Sequence, residues 1–486
     1  MASTPSTVSA VADPIADRDQ LASALRLIER EAESYLAEVD EAAVRPPGEP
    51  SIDGRLPADG AGSLATVNEL VATAMEGATR STGPRFFHFV MGGVTPAALA
   101  ADWLTSALNQ SAFNWVSSPL ASRLEQVTLE WLKELFGIPA GWSAVMTSAA
   151  TTANLVGLAA ARSWWAHEHG VDVDADGLAG LPATPMFAGG YLHASAVKAL
   201  GIVGLGRGRP RILTRDTSGH LDLDALEREL VGLRGKPAIL LATAGDVNTG
   251  DFDPIREMAE LARKHHAWLH VDGAFGLYAA LSPKTKHLLD GLEGAASVAV
   301  DGHKWLNAPY DTGFAFVRDA NLHAGSFSAS AAYLGTEAHS RPVFGNLGPE
   351  MSRRVRAIPV WATLRAYGRD GYRSMIERHL ELAQRVASQV DAAPDLERLA
   401  DVTLNIVCFR FHPDGVRESE LDDLNRKLGS MVLDDGRIYF GTTEYDGKVA
   451  FRPAIVNWRT TEKDADMIVE VVRELGSKLL ATAREC

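Results

Sequence analysis

Between residues 143 and 317 the chain repeats one pattern: a short apolar run, then a stretch with helical spacing. The apolar runs fall at 143–147, 185–190, 210–214, 237–243, 267–272, 297–301 and 313–317. Helical spacing occupies 152–167, 194–200, 222–234 and 253–265. Few architectures satisfy this alternation. Parallel strands need a crossover of a dozen or more residues, and a helix supplies it. The pattern therefore predicts an α/β domain around a mostly parallel seven-stranded sheet. Such sheets bind ligands outside the carboxyl ends of their strands. Function is thus to be sought in the residues just beyond each apolar run.

The flanking regions read differently. Leu21, Leu25, Ile28, Tyr35 and Leu36 recur at helical spacing, and a Pro/Gly-rich stretch follows at 45–62. These early helices lack a core of their own, so residues 1–97 are expected to form a helical segment that packs on the large domain or on a second subunit. Ser118–Pro119 has the form of an N-cap with proline in the first turn, leading into a helix with Leu124, Val127, Trp131, Leu132, Leu135 and Phe136 on one side. The large domain is expected over 98–368. Beyond it, helical stretches near 371–391, 417–432 and 461–482 alternate with strands near 403–411 and 448–455, which predicts a small α+β domain over 369–486.

Composition removes several function classes. The formal net charge of −15 over 486 residues argues against nucleic acid as the partner. With two cysteines, Cys408 and Cys486, no disulfide framework is expected, and a reducing cytoplasm fits best. The N-terminus shows no basic region followed by an apolar core, so no secretory signal is expected. The most apolar long segment, 144–162, carries Ser, Thr and Asn throughout and reads as a buried strand and helix, not a membrane span.

Four strand ends carry chemistry. In "SVAVDGHKW" (297–305) an apolar run stops at Asp301 and Lys304 follows at once. A buried ammonium is costly and tends to lose its proton, and a neutral lysine amine can form a Schiff base with a carbonyl. In "AWLHVDGAFG" (267–276) Asp272 ends a strand and the small Ala274 follows. An acid there can face a cofactor's pyridine nitrogen, and Ala274 would let a flat ring lie over it. A pair about 4 Å apart at an effective dielectric near 20 is worth roughly 4 kcal/mol, or about three pKa units on the ring. In "MTSAATTANLVGLAAAR" (146–162) small residues turn a strand into a helix, whose free N–H groups and dipole make an anion site, with Ala150 and Thr151 as candidate phosphate contacts. His193, in "YLHASAVKAL", follows another strand end and could stack on a ring and move protons. Each feature alone has an ordinary structural explanation.

Taken along the chain, as phosphate turn, His193, Asp272 and then His303–Lys304, they resemble the group II amino-acid decarboxylases, fold-type I enzymes that use pyridoxal 5'-phosphate (PLP). "HVDGAFG" resembles that family's HVDAA segment, "DGHKWLNAPYDTG" its lysine motif, and "HASAVKA" its HSSV segment. The resemblance implies that Lys304 is the Schiff-base residue, His303 lies near the phosphate, Asp272 faces the ring nitrogen, and His193 stacks on the ring. Phe113 and Trp115, in "SAFNWVSS", match positions of aromatic substrate contacts that can come from the partner subunit of a homodimer. Tyr333, in "ASAAYLGTEAHSRP", matches a loop tyrosine that is often phenylalanine in relatives making aldehydes. The chain departs from the family pattern at two turns. Gly-Gly-Thr-Glu is replaced by Ala149, Ala150, Thr151 and Thr152, and Gly-Thr-Thr by Gly245, Asp246 and Val247.

The resulting expectation is a cytoplasmic homodimeric PLP-dependent carboxy-lyase that converts an L-amino acid, with a lean toward an aromatic one, into the amine and CO2. Tyr333 or His193 would return the proton to Cα. Oxidative decarboxylation-deamination to an aldehyde, transamination, and a catalytically silent homologue acting as a binding protein stand as alternatives.

Overall fold

A computed structural model describes residues 13–46, 48–52, 54–329 and 341–485. Its central sheet has seven strands: β1 (Ser143–Thr147), β2 (Met186–Ala188), β3 (Arg211–Ile212), β4 (Ala238–Thr243), β5 (Ala267–Asp272), β6 (Ser297–Asp301) and β7 (Gly313–Val317). Their spatial order is β1-β7-β6-β5-β4-β2-β3. From β6 to β3 every pairing is parallel, whereas β7 runs antiparallel to both β1 and β6. All seven apolar runs thus become strands, some shortened. β4, β6 and β7 are buried along their whole length, which explains why they read as continuous apolar runs without alternation.

Sequence-local signals set the helix ends. Ser118 caps the helix Pro119–Phe136 by accepting from the Ala121 N–H, and Gly137 ends it in the left-handed region at φ 73°. The helix Ala150–His167 begins after two residues that follow β1, and it buries most of its residues, packing on the sheet. At its start the chain passes under β7, where a Cβ on Gly313 would come within 2.6 Å of the Ala149 carbonyl carbon.

The long helix Ala357–Ala392 links two cores. Its buried residues up to Leu380 join the core around the seven-stranded sheet, and those from Leu382 join a second core. The helix kinks at Gly368, whose φ of 59° and ψ of −174° are non-helical. The second core lies on a four-stranded antiparallel sheet made of β8 (Leu396–Arg398), β9 (Phe409–Phe411), β10 (Thr442–Tyr445) and β11 (Lys448–Phe451), in the order β10-β11-β9-β8. The helices Glu418–Asp435 and Glu462–Glu485 cover it, and Phe87 from the N-terminal region completes it. The predicted strand at 403–411 is shorter than expected. β8 and β10 were not anticipated, because their polar residues carry no apolar run.

Near the N-terminus the helix Leu21–Glu38 buries only Ala24 and Leu27, and the helix Ser63–Gly77 buries no residue. The helix Pro96–Leu108 runs across the 97/98 position and packs on the long helix. Among the described residues no helix is long and apolar enough to cross a membrane.

Candidate active site

Three strand ends converge with one helix start. β6 ends at Asp301, whose N–H donates to the Ala274 carbonyl at 2.9 Å and so ties it to the loop after β5. Lys304 follows on a tight loop, with Nζ 3.2 Å from Asp301 Oδ2 and a side chain only 16% exposed. Asn307 clamps that loop. Its carboxamide accepts from Gly93 N (2.9 Å) and Trp458 N (3.0 Å) and donates to Trp305 O (3.0 Å) and Val456 O (2.9 Å). Gly92 presses so close that a Cβ there would lie 2.0 Å from the Lys304 carbonyl oxygen. Trp305 is fully buried and donates its indole N–H to His379 Nδ1 at 2.8 Å. The lysine is therefore held at the strand end by its neighbours on both sides.

Asp272 closes β5 and is buried at 5% exposure. One carboxylate oxygen accepts from Asn154 Nδ2 at 2.8 Å and lies 3.5 Å from Ser195 Oγ, while the other accepts from the Ala274 N–H at 3.2 Å. His193 caps the helix Ala194–Ile202. Its Nδ1 accepts from the Ser195 N–H at 3.2 Å and lies 2.7 Å from Ser195 Oγ. With Nδ1 occupied as an acceptor, the neutral ring carries its proton on Nε2. Burial lowers the His193 pKa, Asp272 opposes that shift and Lys304 adds to it, so the three groups share one electrostatic neighbourhood.

The helix Ala150–His167 opens beside Asp301, which accepts from the Ala150 N–H in a short hydrogen bond. The first intrahelical bond is Ala153 N to Ala149 O, so the Thr151 and Thr152 amides are left for an outside acceptor. His303 is stacked on Tyr310 with centroids 4.1 Å apart, its Nε2 lies 3.5 Å from Asp301 Oδ1, and its buried Nδ1 has no hydrogen-bond partner among the described residues. A phosphate-bearing aldehyde fits these groups: two free helix amides and an unpartnered imidazole nitrogen for the anion, an amine for the carbonyl, and an acid two residues before the small Ala274.

Not every candidate joins this cluster. Phe113 and Trp115 lie before the helix Pro119–Phe136 and meet the segment that begins at 341: Arg341 sits 4.1 Å over the Trp115 ring, and Gly345 donates to Phe113 O at 3.0 Å. Tyr333 lies outside the described residues. At the second turn that departs from the family pattern, Asp246 accepts from the amides of Asn248 (2.9 Å) and Thr249 (3.0 Å), so its carboxylate shapes the loop. Val247 offers its carbonyl to Arg452 Nη1 at 3.1 Å. In the first, Thr152 Oγ1 pairs with Ser148 Oγ at 2.8 Å. Asp301, Asn154, Ser195 and Asn307 were missed in the sequence. The available signal was a polar residue inside or just beyond an apolar run.

The protein is similar along most of its length to proteins of known activity. It is 29% identical over 403 residues to the aromatic-L-amino-acid decarboxylase of Bacillus atrophaeus, covering 82% of each chain. It is 27% identical over 430 residues to the phenylacetaldehyde synthase of Arabidopsis thaliana, covering 85% of this chain and 86% of that one. The crystal structure of Oryza sativa TDC with PLP and tryptamine superposes with a TM-score of 0.88 at 25% identity, over 98% of this chain and 100% of that one. The model of the pyridoxal-dependent decarboxylase conserved domain matches residues 49–412, a span that contains Lys304, Asp272, His193 and the helix start at Ala150. That match spans most of the chain, and the chain belongs to the pyridoxal-dependent decarboxylase family.

Proposed function

We propose that this PLP-dependent carboxy-lyase acts on an aromatic L-amino acid and releases the amine, as a cytoplasmic homodimer. The observation that carries the reading is the placement of Lys304 and Asp272 at the carboxyl ends of adjacent parallel strands, with His193 in the field of both. When bound, PLP supplies an aldehyde for an amine and a ring that takes up the electron pair left by departing CO2. Lys304 would hold the aldehyde through Nζ, beside the position a substrate amine would take. Asp272, oriented by Asn154 and Ala274, faces the ring nitrogen. The Thr151 and Thr152 amides and His303 would take the phosphate, with Ala150 lining the turn while its N–H is held by Asp301. His193 covers the ring with Nε2–H available. Tyr333 or His193 returns a proton to Cα. Phe113 and Trp115 contact the substrate side chain, and the relatives' aromatic substrates support that choice.

The assembly rests on the N-terminal region, 1–97, read as a dimerisation segment ahead of a large domain over 98–368 and a small domain over 369–486. Leu70 is 59% exposed on a helix that buries nothing, and Leu64 and Met75 of the same helix are exposed as well. A second copy is the natural cover for this face. Burial pushes the Cys408 thiol up to about 12, so it is an unreactive core residue, which suits a reducing compartment.

Carbon dioxide release from a panel of L-amino acids, with mass spectrometry of the organic product, tests the reading. Aromatic substrates giving amine are expected, and conversion confined to acidic side chains would overturn it. Aldehyde formation is the second reading, favoured by the likeness to phenylacetaldehyde synthase. Tyr333→Phe separates the two. If Tyr333 delivers the proton, the variant slows amine release and raises the ratio of aldehyde to amine, whereas an unchanged ratio leaves His193 as the donor.

A further inference from the structure

A single file of polar side chains runs through the core to Asp272. Trp268 Nε1 lies 2.9 Å from Ser297 Oγ, and Ser297 Oγ lies 2.8 Å from His270 Nδ1. His270 Nε2 lies 2.9 Å from Asn154 Oδ1, and Asn154 Nδ2 lies 2.8 Å from Asp272 Oδ2. Asn154 and Ser297 are fully buried, and His270 is 1% exposed. We infer that this file has one direction of hydrogen bonding, from the indole to the carboxylate, and that Ser297, His270 and Asn154 are positioning residues that aim an N–H at Asp272.

The direction follows from the Asp272 end, and the indole end is compatible with it. An indole N–H only donates, so Ser297 Oγ accepts from Trp268 and its own hydrogen is free for His270 Nδ1. At the other end Asn154 turns its NH2 group toward Asp272 Oδ2 and toward Ser195 Oγ at 3.2 Å. Its carbonyl therefore faces His270 and can only accept, so Nε2 carries the imidazole hydrogen. A ring with hydrogen on Nε2 alone has Nδ1 as an acceptor, which is what the Ser297 hydroxyl needs. The reverse orientation of Asn154 would set its carbonyl oxygen against the carboxylate. Burial lowers the His270 pKa to about 4, so the ring stays neutral at neutral pH and the file keeps its polarity.

Packing holds the ring in place. A Cβ on Gly157 would come within 2.7 Å of His270 Nδ1 and 3.0 Å of Ser297 Oγ. Gly157 stands three residues after Asn154 on the same helix, so one helix face supplies both the gap for the imidazole and the amide that meets it. An unpaired buried imidazole would cost stability, and here each polar atom of the ring has one partner of the required kind.

The catalytic consequence rests on the reading that Asp272 faces the ring nitrogen of PLP. Two measurements test the inference. The first uses the cofactor-free wild-type protein with 15N-labelled histidine, with His270 assigned by its loss in His270→Gln. A neutral ring protonated on Nε2 from about pH 6 to about pH 8 is expected. Protonation on Nδ1, or an imidazolium, would overturn the direction. The second compares His270→Leu with His270→Gln by titrating PLP into the cofactor-free proteins and by steady-state kinetics. Glutamine can accept from Ser297 and donate to Asn154, while leucine can do neither. Leucine should weaken PLP binding and lower kcat by about tenfold with little change in KM, and glutamine should restore most of both. Equal losses in the two variants would reduce the file to packing. If neither variant folds, the wild-type resonances decide, with His270 assigned instead through backbone correlations to Leu269 and Val271 in a uniformly labelled sample. A near wild-type kcat in Asp272→Asn alongside the expected tautomer would instead remove Asp272 from the ring and leave the direction of the file intact.

Discussion

The helices Ala150–His167 and Ser63–Gly77 have similar apolar content and opposite fates. The first buries Ala150, Ala153, Asn154, Val156 and eight further residues, and lies across the sheet beside β5, β6 and β7. The second buries none and touches mainly the helix Leu21–Glu38. The sheet, completed within one chain, determines the first helix, whereas the second has an apolar side that the described residues leave bare. Changes near the first should act on chemistry or on the stability of the single chain. Changes on the second should act on assembly.

The sharpest separation comes from Lys304→Ala, which should abolish turnover while far-UV circular dichroism and melting stay close to wild type. PLP should still bind without a covalent link, since helix amides and Asp272 remain. After borohydride reduction, peptide mapping should find the pyridoxyl group on Lys304 in the wild type, and a label on another lysine would displace this assignment.

Acid should come next. His270 and His323 have pKa values lowered to about 4, and His379 to about 3, all chiefly by burial. In the unfolded chain they protonate near about 6.5, in the folded one only far below. Between those values the unfolded state binds more protons, so stability falls as pH falls. Each contributes about 1.4 kcal/mol per pH unit over that window, together on the order of 10 kcal/mol by pH ~4. Melting temperature should drop steeply from pH ~6.5 downward. A flat profile would mean these imidazoles are not sealed in the core.

Gly157→Ala is milder. Its methyl group would have to displace His270 or Ser297, and overpacking of this kind costs about 1–3 kcal/mol. Thermal melts should show the loss, and the same change at an open glycine such as Gly232 gives the control, since nothing lies within 4 Å of a Cβ there. Leu70→Glu should have the smallest effect on the chain itself, within about 0.5 kcal/mol, because the side chain is already exposed. Its effect should appear in sedimentation as a shift from dimer to monomer. A large loss of stability without dissociation would mean that the face is covered by its own chain.

The sequence revealed what alternation and strand ends can reveal. Seven apolar runs became seven strands, and the central ones read clearly because they are buried on both faces and need no polar partner, whereas β3 at the sheet edge is exposed and keeps only two residues. Lys304, Asp272 and His193 were readable because each interrupts or follows such a run at its carboxyl end. The groups that orient them were harder to see. Asn154 and His270 look like flaws in apolar segments until the fold sets one against the other across 116 residues of chain. Asp301 was noted only as the end of a strand, yet it meets both Lys304 and the helix start. β10, Thr442–Tyr445, alternates half-buried with exposed residues and has no apolar run to announce it.

The clamp at Asn307 also bears on when the site can come into being. During synthesis the lysine loop emerges from the ribosome well before Val456 and Trp458, which supply one of the acceptors and one of the donors for the Asn307 carboxamide. Trp458 itself reaches back across 364 residues to donate to the Val94 carbonyl. A nascent chain that already contains every strand of the large sheet thus still carries Lys304 on a half-tethered loop. Its order waits on residues that lie 149 and 151 positions beyond Asn307, so the Lys304 loop is completed only after they too have been made.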